Sequence, residues 1–300
     1  MSHLTGSVDV HQHLWPGQLV DALRTRRQSP RLQGWTLHLP GEPSYDVAAS
    51  DHNVPRRQEL DPAHDHVLLS LSSPLGIEQL PPDEAQPLLR AWHDGVRQLP
   101  QPFAAWASVN QLEPDLQLLT EQLRGEFVGL QVPATQLATP EALTRTADVL
   151  RTCEVADKPV LVHPGPAATR TEEVPAWWSA VVDYPAQMQA AWWSWHSIGR
   201  SLLPELRICF AAGAGLAPIH HERLAARGGG PMRSDLNTFV DTSSYGPRGL
   251  DSLVRVLGID AIVLGSDRPY AAPTDPDLGT AATHAIRVVN PRRLLEGGQP

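Results

Sequence analysis

The chain has 300 residues, 41% of them hydrophobic and 19% charged, which fits one large globular domain or two small ones. A formal charge of −9, with no Lys/Arg-dense run, argues against nucleic acid and anionic membrane as partners and leaves a small molecule as the expected one. Cys153 and Cys209 form no C-x-x-C pair, and the sequence shows neither a signal-like N-terminus nor an apolar run of about 18 residues, so a reduced, cytoplasmic setting is expected.

Ser7–His13 reads as a strand and Pro16–Gln28 as a helix, followed over residues 29–65 by an irregular insertion rich in Pro, Gly and His. The alternation then resumes with strand His66–Leu71 and helix Pro82–Leu99, Phe103–Val109 and Glu113–Arg124, Phe127–Val132 and Pro140–Ala156, and Pro159–His163 and Pro175–Leu203. Leu206–Ala211 with Pro218–Arg227, Thr238–Thr242 with Arg248–Gly258, and Ala261–Gly265 with Gly279–Val289 complete eight units. Runs such as Val160-Leu161-Val162 suit a parallel sheet covered on both faces. Eight units predict an α/β fold, a (β/α)8 TIM barrel formed by a single domain over residues 1–300. No G-x-G-x-x-G follows the first strand and no G-x-x-x-x-G-K-[ST] occurs, which removes the nucleotide-binding readings.

In such a barrel the chemistry sits at the C-terminal strand ends. The first strand ends in His11-Gln12-His13, whose two imidazoles share a face because side chains alternate along a strand. The fifth ends in His163-Pro164 and the eighth in Gly265-Ser266-Asp267, next to the first on closure. His11, His13, His163 and Asp267 therefore form the candidate metal-ligand set, with room for a water activated on one divalent ion, Zn2+ first and Mn2+ or a related metal next. The catalytic work is expected of Asp267 and His163.

Three segments, Val8-Asp9-Val10-His11-Gln12-His13, Leu161-Val162-His163-Pro164 and Leu264-Gly265-Ser266-Asp267-Arg268-Pro269-Tyr270, resemble the amidohydrolase superfamily in its amidohydrolase-related branch. That branch includes aminocarboxymuconate-semialdehyde decarboxylase-like enzymes, benzoate-type decarboxylases, hydratases and lactonases. The resemblance implies a distorted TIM barrel and one divalent metal on these four residues. It also implies a histidine after the sixth strand, but Ala212 stands there in Ala211-Ala212-Gly213-Ala214-Gly215, and a methyl group transfers no proton. His196, His220, His221 and Asp241 are the candidates to replace it, each with a plain structural alternative: helix packing beside tryptophans, a solvated helix face, or a strand-end hydrogen bond. Superfamily members with two metals carry a carboxylated lysine at the fourth strand, where this chain has Gln131. Its only lysine, Lys158, precedes the fifth strand at the opposite face, which argues against a binuclear site and against a Schiff base.

Arg268 and Arg170 follow the eighth and fifth strands and are candidates to bind an acidic substrate, or else surface arginines paired with acids such as Glu172 or Asp275. Trp177, Trp178, Trp192, Trp193 and Trp195 could pack helices, cover the mouth or form a homo-oligomer interface, and Trp35, His38, Tyr45, Asp51 and His52 of the insertion are further possible contacts. The leading functional expectation is a metal-dependent hydrolase of a small organic ester, lactone or amide. The alternatives are a non-oxidative decarboxylase or hydratase of an aromatic or unsaturated acid, and a non-catalytic ligand-binding barrel.

Overall fold

A computed structural model describes residues 6–40, 42–60, 64–230, 235–272 and 276–298; Asp275 lies outside these. Eight parallel strands form the barrel: β1 (Val8–Gln12), β5 (His66–Leu69), β6 (Phe103–Ala105), β7 (Leu130–Pro133), β8 (Val160–His163), β9 (Ile208–Phe210), β10 (Thr238–Asp241) and β11 (Ile262–Val263). They pair as two sheets, β1-β5-β6 and β7-β8-β9-β10-β11. Two isolated bridges join them, Ala107 with Leu130 and Gln12 with Arg268. Beyond β11 the chain runs on beside β1, where Val10 N–H donates to Leu264 O (2.8 Å), Asp267 N–H to His11 O (2.9 Å) and His13 N–H to Arg268 O (2.7 Å). These bonds bring the eighth strand end against the histidine pair.

The barrel strands are buried on both faces, as β1, β7, β8, β9 and β10 show along their whole lengths. This is why their sequences are apolar runs rather than alternating ones. The outer helices start where capping chemistry allows: Asp115 accepts a hydrogen bond from Leu118 N–H, and Thr139 from Ala142 N–H. Trp192 and Trp195 are fully buried, the latter donating to Thr238 Oγ1 at 3.0 Å, so these two pack helix on barrel, whereas Trp177 is 55% exposed. Both cysteines are buried and free. Among the described residues, no helix is long and apolar enough to cross a membrane.

Two expectations need correction. The segment read as irregular contains an antiparallel sheet, β2 (Arg31–Gln33), β3 (Thr36–His38) and β4 (Tyr45–Asp46), and a helix, Val54–Leu60. Gly34, at φ +64°, supplies the left-handed position of the tight turn between β2 and β3. The strands of two or three residues are too short to show a period. The helix read at Pro218–Arg227 is regular only over His221–Ala225. Ahead of it, Ala212 to Leu216 run through a left-handed turn with φ between 47° and 60°.

The insertion covers the mouth rather than the base. The His52 ring stacks on Trp15 at 4.3 Å and on Trp35 at 5.9 Å, and Trp15 lies just past the end of β1. Its Nδ1 accepts from Trp15 N–H at 3.0 Å, and burial, with Arg57 and His13 nearby, pushes this imidazole down to about 3, so it is neutral. Arg57 from the same insertion is buried beneath the histidine pair, donating to His13 O (2.6 Å), Asp51 O (3.0 Å) and Gln12 Oε1.

Candidate metal centre and cavity

His11, His13, His163 and Asp267 come together, with one ligand-type atom from each lying within 4.8 Å of all the others. The three rings meet edge to face with centroids 4.9 to 5.0 Å apart. Asp267 Oδ1 stands 3.1 Å from His13 Nε2 and 3.6 Å from His11 Nε2. The far nitrogen of each ring is already engaged: His11 Nδ1 with Asp241 Oδ2 (2.7 Å), His13 Nδ1 with Ser70 O (3.0 Å) and His163 Nδ1 with Pro164 O (2.8 Å). A carbonyl only accepts, so His13 and His163 carry their protons on Nδ1 and turn the Nε2 lone pair inward.

These residues fit a metal ion. His11 Nε2 and His13 Nε2 face each other at 3.1 Å, and with both Nδ1 atoms protonated neither nitrogen has a proton to share. A cation is what satisfies such lone pairs. Ligands held about 2.1 Å from an ion lie at most about 4.2 Å apart, so the set needs only slight contraction. Burial, reinforced by His11 and His13, holds the His163 imidazole well below its ordinary value, and burial likewise lowers His13. On His11, burial is outweighed by the Asp241 hydrogen bond and charge, which raise it. On Asp267, burial pushes the carboxyl up but the close approach of His13 and the surrounding imidazoles hold it below the usual carboxylate range.

The supports come from residues with no exposed role. Asp241 has both oxygens occupied, Oδ2 by His11 and Oδ1 by the N–H and hydroxyl of Ser243 (3.0 and 2.6 Å). It is thus a strand-end residue that orients His11 rather than a base facing the cavity. Gly265 makes room for it, because a Cβ there would lie 2.5 Å from Asp241 Oδ2. Asp9, fully buried, accepts from Ser266 N–H (3.0 Å), His11 N–H (3.2 Å) and Gln12 Nε2 (2.8 Å), tying β1 to the segment that carries Asp267.

Over the cluster lies a cavity of about 260 Å³, into which all four tyrosines of the chain, Tyr45, Tyr184, Tyr245 and Tyr270, contribute. Ala212 forms part of its wall and donates its N–H to Ser243 Oγ at 2.9 Å. The left-handed turn that follows costs roughly 1–2 kcal/mol at each non-glycine residue. It packs tightly enough that a Cβ on Gly215 would meet Pro185 O at 2.5 Å, which seats Tyr184 and Pro185 at the cavity.

None of the candidate replacement histidines reaches this cavity. His221 is buried and accepts from Trp192 Nε1 at 3.2 Å, its imidazole pushed down to about 4 by burial and by His196. His196 hydrogen-bonds the Trp192 carbonyl, and His220 is exposed. Arg170 and Arg268 do not line the cavity either. Arg170 is paired with Asp183 and lies 5.8 Å over Trp178, and Arg268 supplies the backbone bridge to β1. Of the insertion residues named from sequence, only Tyr45 lines it. Tyr184, Tyr245, Tyr270 and Ser72 were missed, because they sit on loops and helix starts without a motif.

No family model matches the chain, and no curated protein matches its sequence. Solved structures do resemble it. IDCase from Metarhizium anisopliae superposes with a TM-score of 0.75 at 16% identity, covering 98% of each chain. 5-Carboxyvanillate decarboxylase from Sphingomonas paucimobilis gives 0.74 at 17%, covering 98% of this chain and 99% of that one. Dihydroxybenzoic acid decarboxylase from Polaromonas sp. JS666, with bound manganese and the inhibitor 2-nitroresorcinol, gives 0.65 at 16%, covering 99% and 98%. The fold is thus a distorted TIM barrel like theirs. At these identities the likeness is one of fold.

Proposed function

We propose that the protein is a metal-dependent enzyme of the amidohydrolase-related branch that decarboxylates a small aromatic acid without oxidation. The observation that carries this reading is the cavity: one proton-transferring carboxyl group, Asp267, stands over three imidazoles, and the other lining is aliphatic or phenolic apart from Ser72, Ser243 and Ser244. His11, His13, His163 and Asp267 would hold one divalent ion, manganese as in the Polaromonas neighbour or zinc. When bound, it supplies the countercharge for the substrate's acid groups and draws electron density from them.

The chain's own residues account for the rest. Asp267 is the cluster member open to the cavity, its side chain 20% exposed against 2% for His11 and 1% for His13. Held as a carboxylate by the surrounding imidazoles, it would first take a proton from the incoming acid and is placed to pass that proton to the ring carbon as the bond to the carboxylate breaks. The electron pair of that bond stays with the ring, the proton replaces the lost group, and CO2 leaves. The apolar walls exclude water and favour exchange of a charged group for a neutral one. His163, fixed through Pro164 O, keeps its Nε2 aimed at the same point.

Hydrolysis, the first expectation from sequence, needs a water to be deprotonated beside the ion. Among the described residues no histidine other than His11, His13 and His163 lines the cavity, so the group expected at the Ala212 position has no substitute there. Two of the structural neighbours named above are decarboxylases of aromatic acids, which supports the same choice.

The test is CO2 release from a panel of hydroxybenzoates by manganese- or zinc-loaded protein, run beside a panel of aryl esters, lactones and amides. One CO2 per ring product is expected. Hydrolysis of the second panel without CO2 would overturn the reading, and bound metal without turnover on either panel would favour the non-catalytic barrel. Asp241→Asn removes the charge that orients His11 and is expected to weaken metal binding by about 10- to 100-fold, measured by competition with a chromogenic chelator.

A further inference from the structure

The four tyrosines reach the cavity from separate parts of the chain. Tyr45 comes from β4 of the insertion, Tyr184 from the helix Tyr184–Ser194 after β8, Tyr245 from the loop after β10 and Tyr270 from the loop after β11. The Tyr270 ring lies 5.4 Å from that of His13, so its phenol stands beside the cluster. Between these rings the walls are Leu39, Leu75, Pro74, Pro185 and their like, and no arginine or lysine is among the described residues lining the cavity.

The phenols are donors without charge. Burial, helped by Glu42, pushes Tyr45 up to about 12. Burial raises Tyr184 further, with Glu42, Tyr45, Asp183 and Asp267 adding to it, and Tyr270 is raised by burial and by Tyr45. The side-chain charges that raise these rings, Glu42, Asp183 and Asp267, are all negative.

From this lining we infer that the substrate is an aromatic monoacid: one carboxylate directed at the histidine cluster, with every other substituent an uncharged group such as hydroxyl or methoxy, held by phenolic O–H donors. The inference rests on the decarboxylase reading and narrows it. A second carboxylate, sulfonate or phosphate would be buried among these walls with no arginine or lysine among the described lining residues to pair it.

The experiment is calorimetric titration of the manganese-loaded protein with two acids, 2-hydroxybenzoate and 4-hydroxyisophthalate, which adds one carboxylate. The monoacid is expected to bind at least about 30-fold more tightly than the diacid. Tyr45→Arg, at a position 42% exposed and so tolerant of change, places a cation at the rim and is expected to narrow the gap for the diacid. Equal or tighter binding of the diacid by the unmodified protein overturns the inference and leaves the decarboxylase reading standing. No binding of either acid overturns both the inference and the reading beneath it.

Discussion

Asp267→Asn is expected to lower the turnover number for CO2 release by about a thousandfold, within the roughly 10²–10⁴ that a positioned acid–base group contributes. Asparagine keeps the size of the side chain and tolerates the left-handed backbone, φ +58°, in which Asp267 is held. It keeps an oxygen near His13 but carries no proton to give, so the loss falls on the chemical step. Turnover at saturating substrate, with metal content checked in the same sample, separates this from simple loss of the ion. A loss of less than about tenfold would show that the proton comes from elsewhere.

Arg57→Met is expected to destabilise the fold by about 3 kcal/mol, although Arg57 touches none of the cavity. The guanidinium is buried and donates to the His13 carbonyl, the Asp51 carbonyl and the Gln12 side chain, and methionine leaves these acceptors without it. A lost buried hydrogen bond to a charged donor costs about 1.5–3 kcal/mol, partly offset here because a buried cation is also removed. Urea unfolding of metal-free protein measures the change, with the exposed Arg90→Met as a control expected to stay within about 0.5 kcal/mol. A stability equal to the parent's would mean that the insertion merely rests on the mouth.

What the sequence showed, and what it hid, follows from how each signal arises. The eight barrel strands were legible because burial on both faces writes a short apolar run, as in Val160-Leu161-Val162. The convergence of His11, His13, His163 and Asp267 could be expected because strand ends of a closed barrel are spatially fixed by chain order. The insertion was opaque because two- and three-residue strands carry no period, and its anchor is a pair of ring stacks on His52 that no spacing announces. The left-handed turn from Ala212 to Leu216 was read through as part of a loop and helix, since alanine and leucine give no hint of positive φ. The arginines drew attention through their charge, but Arg170 is spent on Asp183. Of the tyrosines that face the ligand space, Tyr45 was named but Tyr184, Tyr245 and Tyr270 were not, because a loop residue's direction is set by packing rather than by a local pattern.

The central claim is that four residues on three strand ends hold one divalent ion. Calorimetric titration of chelator-stripped protein with manganese or zinc tests it directly, with His13→Ala alongside. The account predicts one tightly bound ion per chain, a raised unfolding temperature when it binds, and loss of that site in the variant. Binding of no ion by the parent protein, or an unchanged site in His13→Ala, would contradict it.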